Sequence, residues 1–276
     1  MNPGFQFKQF YVRHDRCAMK VGTDGVLLGC WAKTPPLPSP QGGETRILDI
    51  GTGSGLIALM LAQRLAAPPP HPSPPGREKG FHIDAIDIDE AAVEQAAENF
   101  AASPWADRLH AYHSSLQEWQ NHSVPSLVGR VRERLYDLIV SNPPYFQNSL
   151  KNPDKARQTA RHTDTLSYNE LFLHSVRILT ENGILALVLP AEAEQEICSL
   201  AAQHSLYLTH ITRVYSKESK PARRILLSFE KPKFRNTDIS TYRSSENPFS
   251  EDTLVLEDET GGRSAAYREI TKGFYL

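Results

Sequence analysis

Apolar positions along this chain recur in two alternating rhythms. Short apolar runs read as buried strands, and longer stretches carry helical spacing. Residues 46–50 (RILDI) form a first strand. The helix over 55–66, with LIALMLAQRL, is apolar nearly all round, as a helix lying on a sheet must be. A second strand follows at 82–87 (HIDAID), then a helix from Glu90 to Ala102. Val93, Ala96, Ala97 and Phe100 form its expected buried stripe, at i, i+3, i+4, i+7 spacing. Asp89 stands where its N-cap belongs. Strands at 109–113 and 135–141, a helix over 168–180 stopped by Gly183, a strand at 184–189 and a helix over 191–204 continue the pattern. The last two strands, 206–215 and 223–229, are joined by a connection too short for a parallel crossover, so they must pair antiparallel. The expectation is an α/β fold: a mostly parallel seven-stranded sheet with an antiparallel C-terminal hairpin and helices on both faces.

Punctuation divides the chain further. Residues 34–43 (TPPLPSPQGG) and 68–80 (PPPHPSPPGREKG) are loops by composition. Residues 1–45 form an N-terminal segment, 46–235 the main domain, and 236–276 a polar tail. Within that tail, 236–262 reads as a loosely held loop, while the closing TKGFYL is apolar enough to dock back.

Composition narrows the function. A chain of 276 residues, 40% of them apolar, makes one large domain with appendages. The net charge of −2 argues against a general polyanion binder, so any nucleic-acid surface must be local. Three scattered cysteines, with no CxxC pair, point to reduced thiols and no structural metal. No run of 18 apolar residues and no secretory leader are visible, so a cytoplasmic protein without membrane contact is expected. The oligomeric state stays open, with a monomer favoured.

Two short segments carry the chemistry. ILDIGTGSG (47–55) is a strand running into a glycine turn. Gly51, Gly53 and Gly55 let backbone approach a ligand closely, at the start of the next helix. The dinucleotide fingerprint needs glycine at position 56, which is Leu56, so NAD is disfavoured. Asp87 lies 36 positions beyond Gly51, or 23 without the 13-residue Pro-rich block, at the distance where a carboxylate holds ribose hydroxyls. Asp49 either orients the glycine loop or meets the amino-acid end of a nucleoside cofactor. DLIVSNPPY (137–145) is a second strand, ending in Asn142-Pro143-Pro144-Tyr145. The prolines release carbonyls from sheet and helix duty. The Asn142 side-chain oxygen and the Pro143 carbonyl can then accept from one planar NH₂ group, while Tyr145 offers a stacking face. The pair of segments points to methyl transfer onto an amino nitrogen.

ILDIGTGSG, AIDID and SNPPY together resemble the amino-methylating branch of the class I S-adenosylmethionine-dependent methyltransferases, which have a Rossmann-like fold. FKQFYVRHDRCAMKVGTDGVLLGCWA, RQTARHTDTLSYNELF and the terminal FYL are similar to the bacterial tRNA-valine adenine-N(6) methyltransferases. The resemblance implies S-adenosyl-L-methionine as cofactor and tRNA as substrate. It places Lys20, Thr23 and Asp24 over the methionine end of the cofactor, although Thr23-Asp24-Gly25 also reads as a plain helix start. Ser115 stands where that family often carries an acid facing the cofactor's adenine. Asn142 is expected to touch cofactor as well as substrate.

Arg157, Arg161 and His162, with Lys151 and Lys155, follow the Asn-Pro-Pro-Tyr turn as a basic stretch. Arg213, Lys217, Lys220, Arg223 and Arg224 form a second cluster. Both suit RNA phosphates, and both also suit an ordinary solvated face. Phe5, Phe7, Phe10 and Tyr11 suit either base stacking or a local core. The rival functions are guanine-N(2) methylation of ribosomal RNA, glutamine methylation of a protein, and a non-catalytic RNA-binding module.

Overall fold

A computed structural model of the chain describes residues 3–17, 20–35, 37, 43–66, 80–119, 124–125, 131–132, 135–144, 166–232 and 249–275. A hairpin of β1 (Gly4–Gln6) and β2 (Tyr11–Arg13) is followed by α1 (Thr23–Trp31). The main domain runs β3 (Thr45–Ile50), α2 (Leu56–Ala66), β4 (Phe81–Asp87), α3 (Glu90–Ala101), β5 (Leu109–His113) and α4 (Leu116–Trp119). A two-residue pair, β6 (Val124–Pro125) with β7 (Val131–Arg132), precedes β8 (Tyr136–Ser141), α5 (Tyr168–Ile178) and β9 (Leu179–Pro190). A 3₁₀ turn leads into α6 (Glu194–Gln203), then β10 (Tyr207–Tyr215), β11 (Ala222–Glu230), β12 (Ser250–Val255) and α7 (Ala265–Thr271).

The main sheet has the order β12-β10-β11-β9-β8-β3-β4-β5. β9, β8, β3, β4 and β5 are parallel, and β11 is antiparallel to both β9 and β10. The chain builds outward from β3 through β4 to β5, then returns to β8 on the other side. Their carboxyl ends therefore open a crevice at the switch between β3 and β8, the usual ligand position in such sheets. One face of the sheet packs on α1, α2, α3 and the N-terminal hairpin, through Leu27, Met60, Phe7 and Phe100. The other packs on α4, α5 and α6, through Trp119, Phe172 and Ile197.

Three expectations need correction, and one left open is decided. The sheet has eight strands, not seven, because part of the expected loop 236–262 is β12, parallel to β10 from His210↔Ser250 to Tyr215↔Val255. Only Leu254 of that strand is buried. Polar pairs hold it instead, with Asp252 accepting from Thr212 and meeting His210 Nε2 at 3.2 Å. Gly183 does not stop α5. The helix ends at Ile178, and Gly183 lies in an irregular stretch of β9 where a Cβ would meet the Tyr136 carbonyl oxygen at 2.9 Å. The stripe of α3 is rotated. Gln95 and Asn99 are buried beside Ala96 and Phe100, while Val93 is half-buried and Ala97 exposed. Phe7 and Phe10 belong to the core, with ring centroids 4.7 Å apart, while Phe5 and Tyr11 are exposed.

Two local expectations hold. Asp89 caps α3, accepting from the Ala91 N–H at 3.0 Å. Phe274 is buried near the N-terminal hairpin, and its carbonyl accepts from the Lys8 N–H at 2.8 Å. Among the described residues no helix is long and apolar enough to cross a membrane.

Candidate active site

The glycine turn is pinned to the end of the neighbouring strand. Gly51 and Thr52 N–H groups both donate to the Ile86 carbonyl, at 2.9 and 3.0 Å. Gly51, Gly53 and Gly55 have φ of 68°, 55° and 78°, a left-handed conformation costly for any residue with a Cβ. A Cβ at Gly51 or Gly53 would meet no protein atom within 4 Å, so the space beside them is open for a ligand. Gly55 is different: a Cβ there would run into the Phe100 ring, so this glycine serves the packing of α2 against α3.

Asp49 holds the turn from beneath. Its Oδ2 accepts from the Thr52 hydroxyl at 2.8 Å and the Ala58 N–H at 3.3 Å. Its Oδ1 is buried without a hydrogen-bond partner among the described residues. Burial pushes the carboxyl up to about 7, with Thr52 and Ala58 opposing the shift.

Asp87 ends β4. Its two oxygens accept from Gly53 N–H at 2.9 Å and Asp89 N–H at 3.0 Å, which aims the carboxylate at the open side of the glycine turn. A carboxylate keeps acceptor capacity after two such bonds, enough for a sugar diol.

The Asn-Pro-Pro turn ends β8, directly beside β3. The Ser141 hydroxyl donates to the Ile50 carbonyl at 2.9 Å, locking the two strand ends together. Asn142 is half-buried, Pro143 buried and Pro144 exposed.

Two adjoining cavities meet at Gly51, Gly53 and Asn142. The first, about 390 Å³, mixes polar and apolar surface, with the polar side chains of Lys20, Thr23, Asp24 and Arg224 around the glycine turn. The second, about 260 Å³, is a mainly apolar slot between Ile50, Ile86, Ile88, Ala92, Leu116 and Leu166, with Asp87 at its edge. A chamber with charged side chains joined to an apolar slot, with a diol acceptor at the edge of the slot, matches a nucleoside carrying an amino-acid arm.

Of the residues expected at the cofactor, Lys20, Thr23, Gly51, Gly53, Asp87 and Asn142 line these cavities. Asp49, Gly55 and Ser115 line neither. The Ser115 hydroxyl accepts from the Glu118 N–H at 3.2 Å, capping α4, and its neighbour Ser114 faces the slot instead. Tyr145, Lys151, Lys155, Arg157, Arg161 and His162 lie outside the described residues. In the second basic cluster Arg213 is engaged by Glu194 and Glu251, Arg224 by Asp24, and Lys217 approaches Glu257. Lys220 and Arg223 are exposed.

Three features of the candidate site escaped sequence reasoning. Arg224 reaches the first cavity from β11. Ile88, 51% exposed, forms part of the slot wall. Asn99, 3% exposed, clamps the covering segment to the glycine turn. Its side chain accepts from Arg13 N–H at 2.9 Å and donates to the carbonyls of Arg13 and Ser54, each at 2.8 Å. Its place beside Gln95 on the inner face of an otherwise ordinary amphipathic helix was the available signal.

This sheet, with its crevice between the glycine turn and the Asn-Pro-Pro turn, is that of a class I methyltransferase using S-adenosylmethionine. Residues 35–205 match the model of the methyltransferase small domain. The chain is 40% identical to the tRNA1(Val) (adenine(37)-N6)-methyltransferase of Pectobacterium carotovorum, over 99% of this chain and 94% of the relative. It is 43% identical to the protein of that name from Parabacteroides distasonis, over 100% and 98%. The chain belongs to the tRNA1(Val) (adenine(37)-N6)-methyltransferase family. Among solved structures it shares its fold with a protein from Agrobacterium tumefaciens described as a predicted O-methyltransferase. That match has a TM-score of 0.57 and 14% identity, over 91% of this chain and 96% of the other.

Proposed function

We propose that the chain methylates the exocyclic N6 of an adenine in tRNA, at the position its relatives' names give for tRNA1(Val), and that it acts in the cytoplasm. The supporting observation is the placement of Asn142 at the junction of the two cavities, with Pro143 beside it on the wall of the second. When bound there, S-adenosylmethionine supplies an electrophilic methyl group on a sulfonium. The protein has to orient a weakly nucleophilic amine toward it. The lone pair of that amine is delocalised into the ring. Acceptors at Asn142 and Pro143 draw on its two N–H groups, favour a pyramidal nitrogen, and stabilise positive charge as the new bond forms. Holding the nitrogen in line adds the entropic share. No general base is required before transfer, because the product cation is strongly acidic.

The substrate is tested by transfer of labelled methyl to tRNA lacking the modification, followed by nucleoside mass spectrometry. N6-methyladenosine confined to a valine tRNA is expected. Label appearing instead on ribosomal guanine or on a protein glutamine would refute the tRNA reading.

A further inference from the structure

Helix α3 buries two amides where its inner face calls for apolar groups. Gln95 and Asn99 are 0% and 3% exposed, beside Ala92, Ala96 and Phe100 of the same face. A buried amide is costly unless its hydrogen bonds are met. Asn99 directs its bonds to backbone. The carboxamide pairs with both groups of Arg13, accepting from the N–H at 2.9 Å and donating to the carbonyl at 2.8 Å, as a neighbouring strand would. It also donates to the Ser54 carbonyl of the glycine turn at 2.8 Å. Gln95 Oε1 accepts from the Arg16 N–H at 3.2 Å, and the Arg16 guanidinium meets the exposed Glu94 and Glu98.

The chain beyond Arg16 walls both cavities, with Cys17 on the slot and Lys20, Gly22 and Thr23 on the first cavity. His14 Nδ1 accepts from the Val21 N–H at 3.2 Å, which closes this stretch on itself, so fixing Arg13 fixes its root. Gly51, Gly53 and Ser54 wall the first cavity from the glycine turn. Asn99 lines neither cavity, yet it bonds to the root of one wall and to the backbone of the other.

We infer that Asn99 is a positioning residue for methyl transfer: it holds the covering segment in register with the glycine turn, so that the cofactor cavities are formed before the cofactor arrives. Without it fewer molecules present a formed site, and cofactor affinity falls by that fraction. Transfer from the bound state is kept, because the acceptors for the amine lie on the turn after β8. That last step rests on the reading of Asn142 and Pro143 above.

The test separates affinity from turnover. In Asn99→Ala, calorimetry is expected to show S-adenosylhomocysteine bound about tenfold more weakly, and the KM for S-adenosylmethionine should rise by the same factor. The kcat at saturation and the KM for tRNA should stay within about twofold. The Arg16 and Val21 amides, whose own acceptors are intact, should exchange hydrogen faster than in wild type, and S-adenosylhomocysteine should restore them. Asn99→Asp keeps the acceptor for Arg13 but turns both donors into acceptors, so it should bind no better than Asn99→Ala. Wild-type affinity in Asn99→Asp would show that the Ser54 bond is idle and overturn the assignment. Unchanged affinity in a folded Asn99→Ala, or kcat falling in step with affinity, would make the clamp ordinary packing and overturn it too. Should neither Asn99 variant melt cooperatively, Arg16→Ala decides, since it removes only exposed ion pairs. It should weaken S-adenosylhomocysteine about two- to threefold with kcat kept, and unchanged affinity would overturn the assignment. Calorimetry needs no tRNA, so a wild type that methylates no tRNA would refute the substrate reading and leave this one to be decided by binding and exchange.

Discussion

Two aspartates stand fully buried on neighbouring strands, and they are opposites. Asp49, on β3, faces α2 beneath the glycine turn. One of its oxygens has no partner among the described residues, and burial pushes its carboxyl up to about 7. Asp84, on β4, faces the other side of the sheet. Its oxygens accept from Arg46 at 2.9 Å, the Tyr136 hydroxyl at 2.8 Å and His82 at 2.9 Å. Burial raises the Asp84 pKa, but His82, Tyr136 and Arg46 outweigh it and hold the carboxyl at about 2. Tyr136 is itself tied to Trp119. The scaffold satisfies its buried charge completely, whereas the site leaves one under-satisfied. Local frustration of this kind concentrates where a ligand has to be met.

The largest expected effect breaks the scaffold side. Asp84→Ala leaves Arg46 and Tyr136 without their buried acceptor and should cost about 3–5 kcal/mol of stability, read by urea unfolding. Any protein that stays folded should bind cofactor normally. A variant as stable as wild type would remove the contrast. Next comes the transfer step. Asn142→Ala should lower the methylation rate by about 100- to 1000-fold, with cofactor affinity kept within a few-fold. If affinity fell in step with the rate, Asn142 would be a cofactor ligand first. Asp87→Ala should raise the cofactor dissociation constant by about ten- to a hundredfold, by loss of the sugar contacts and of the Gly53 tether. Unchanged calorimetric affinity would refute its ribose role.

The smallest effect tests Asp49 itself. Its folded pKa lies above the ordinary value of 3.8, so its contribution to stability is complete below about 3.8 and is lost as pH rises through about 7. Wild type should therefore lose melting temperature relative to Asp49→Asn as pH climbs from about 5 to about 9. Parallel curves would show that Asp49 stays ionised throughout. For Asp84 the sign is reversed. Its contribution is complete above about 3.8 and is lost only as pH falls through about 2.

The parallel strands, the glycine turn and the Asn-Pro-Pro turn were legible because each is a local signal: an apolar run, a backbone requirement, a pair of rings. What stayed hidden depends on distant partners. β12 reads SEDTLV, with no apolar alternation, and becomes a strand because Asp252 finds His210 and Thr212 on β10. Gln95 and Asn99 break the apolar stripe of α3, because the helix buries backbone of residues 13–16 as well as hydrocarbon. Arg224 sat in a basic cluster that suggested RNA, and only the fold brings it to Asp24, 200 positions away. Ser115 was chosen by its place in a family pattern, which carries no information about whether its hydroxyl would be taken by a helix cap.

The bond from Lys8 to the Phe274 carbonyl spans most of the chain, and the Lys8 ammonium reaches the Lys272 carbonyl as well. Residues 5–10 are made before 272–274, so the contact between Lys8 and Lys272, 264 positions apart, waits for the later segment even though the hairpin already has partners of its own. The hairpin that leads into the covering segment therefore completes its contacts only after 272–274 have been made.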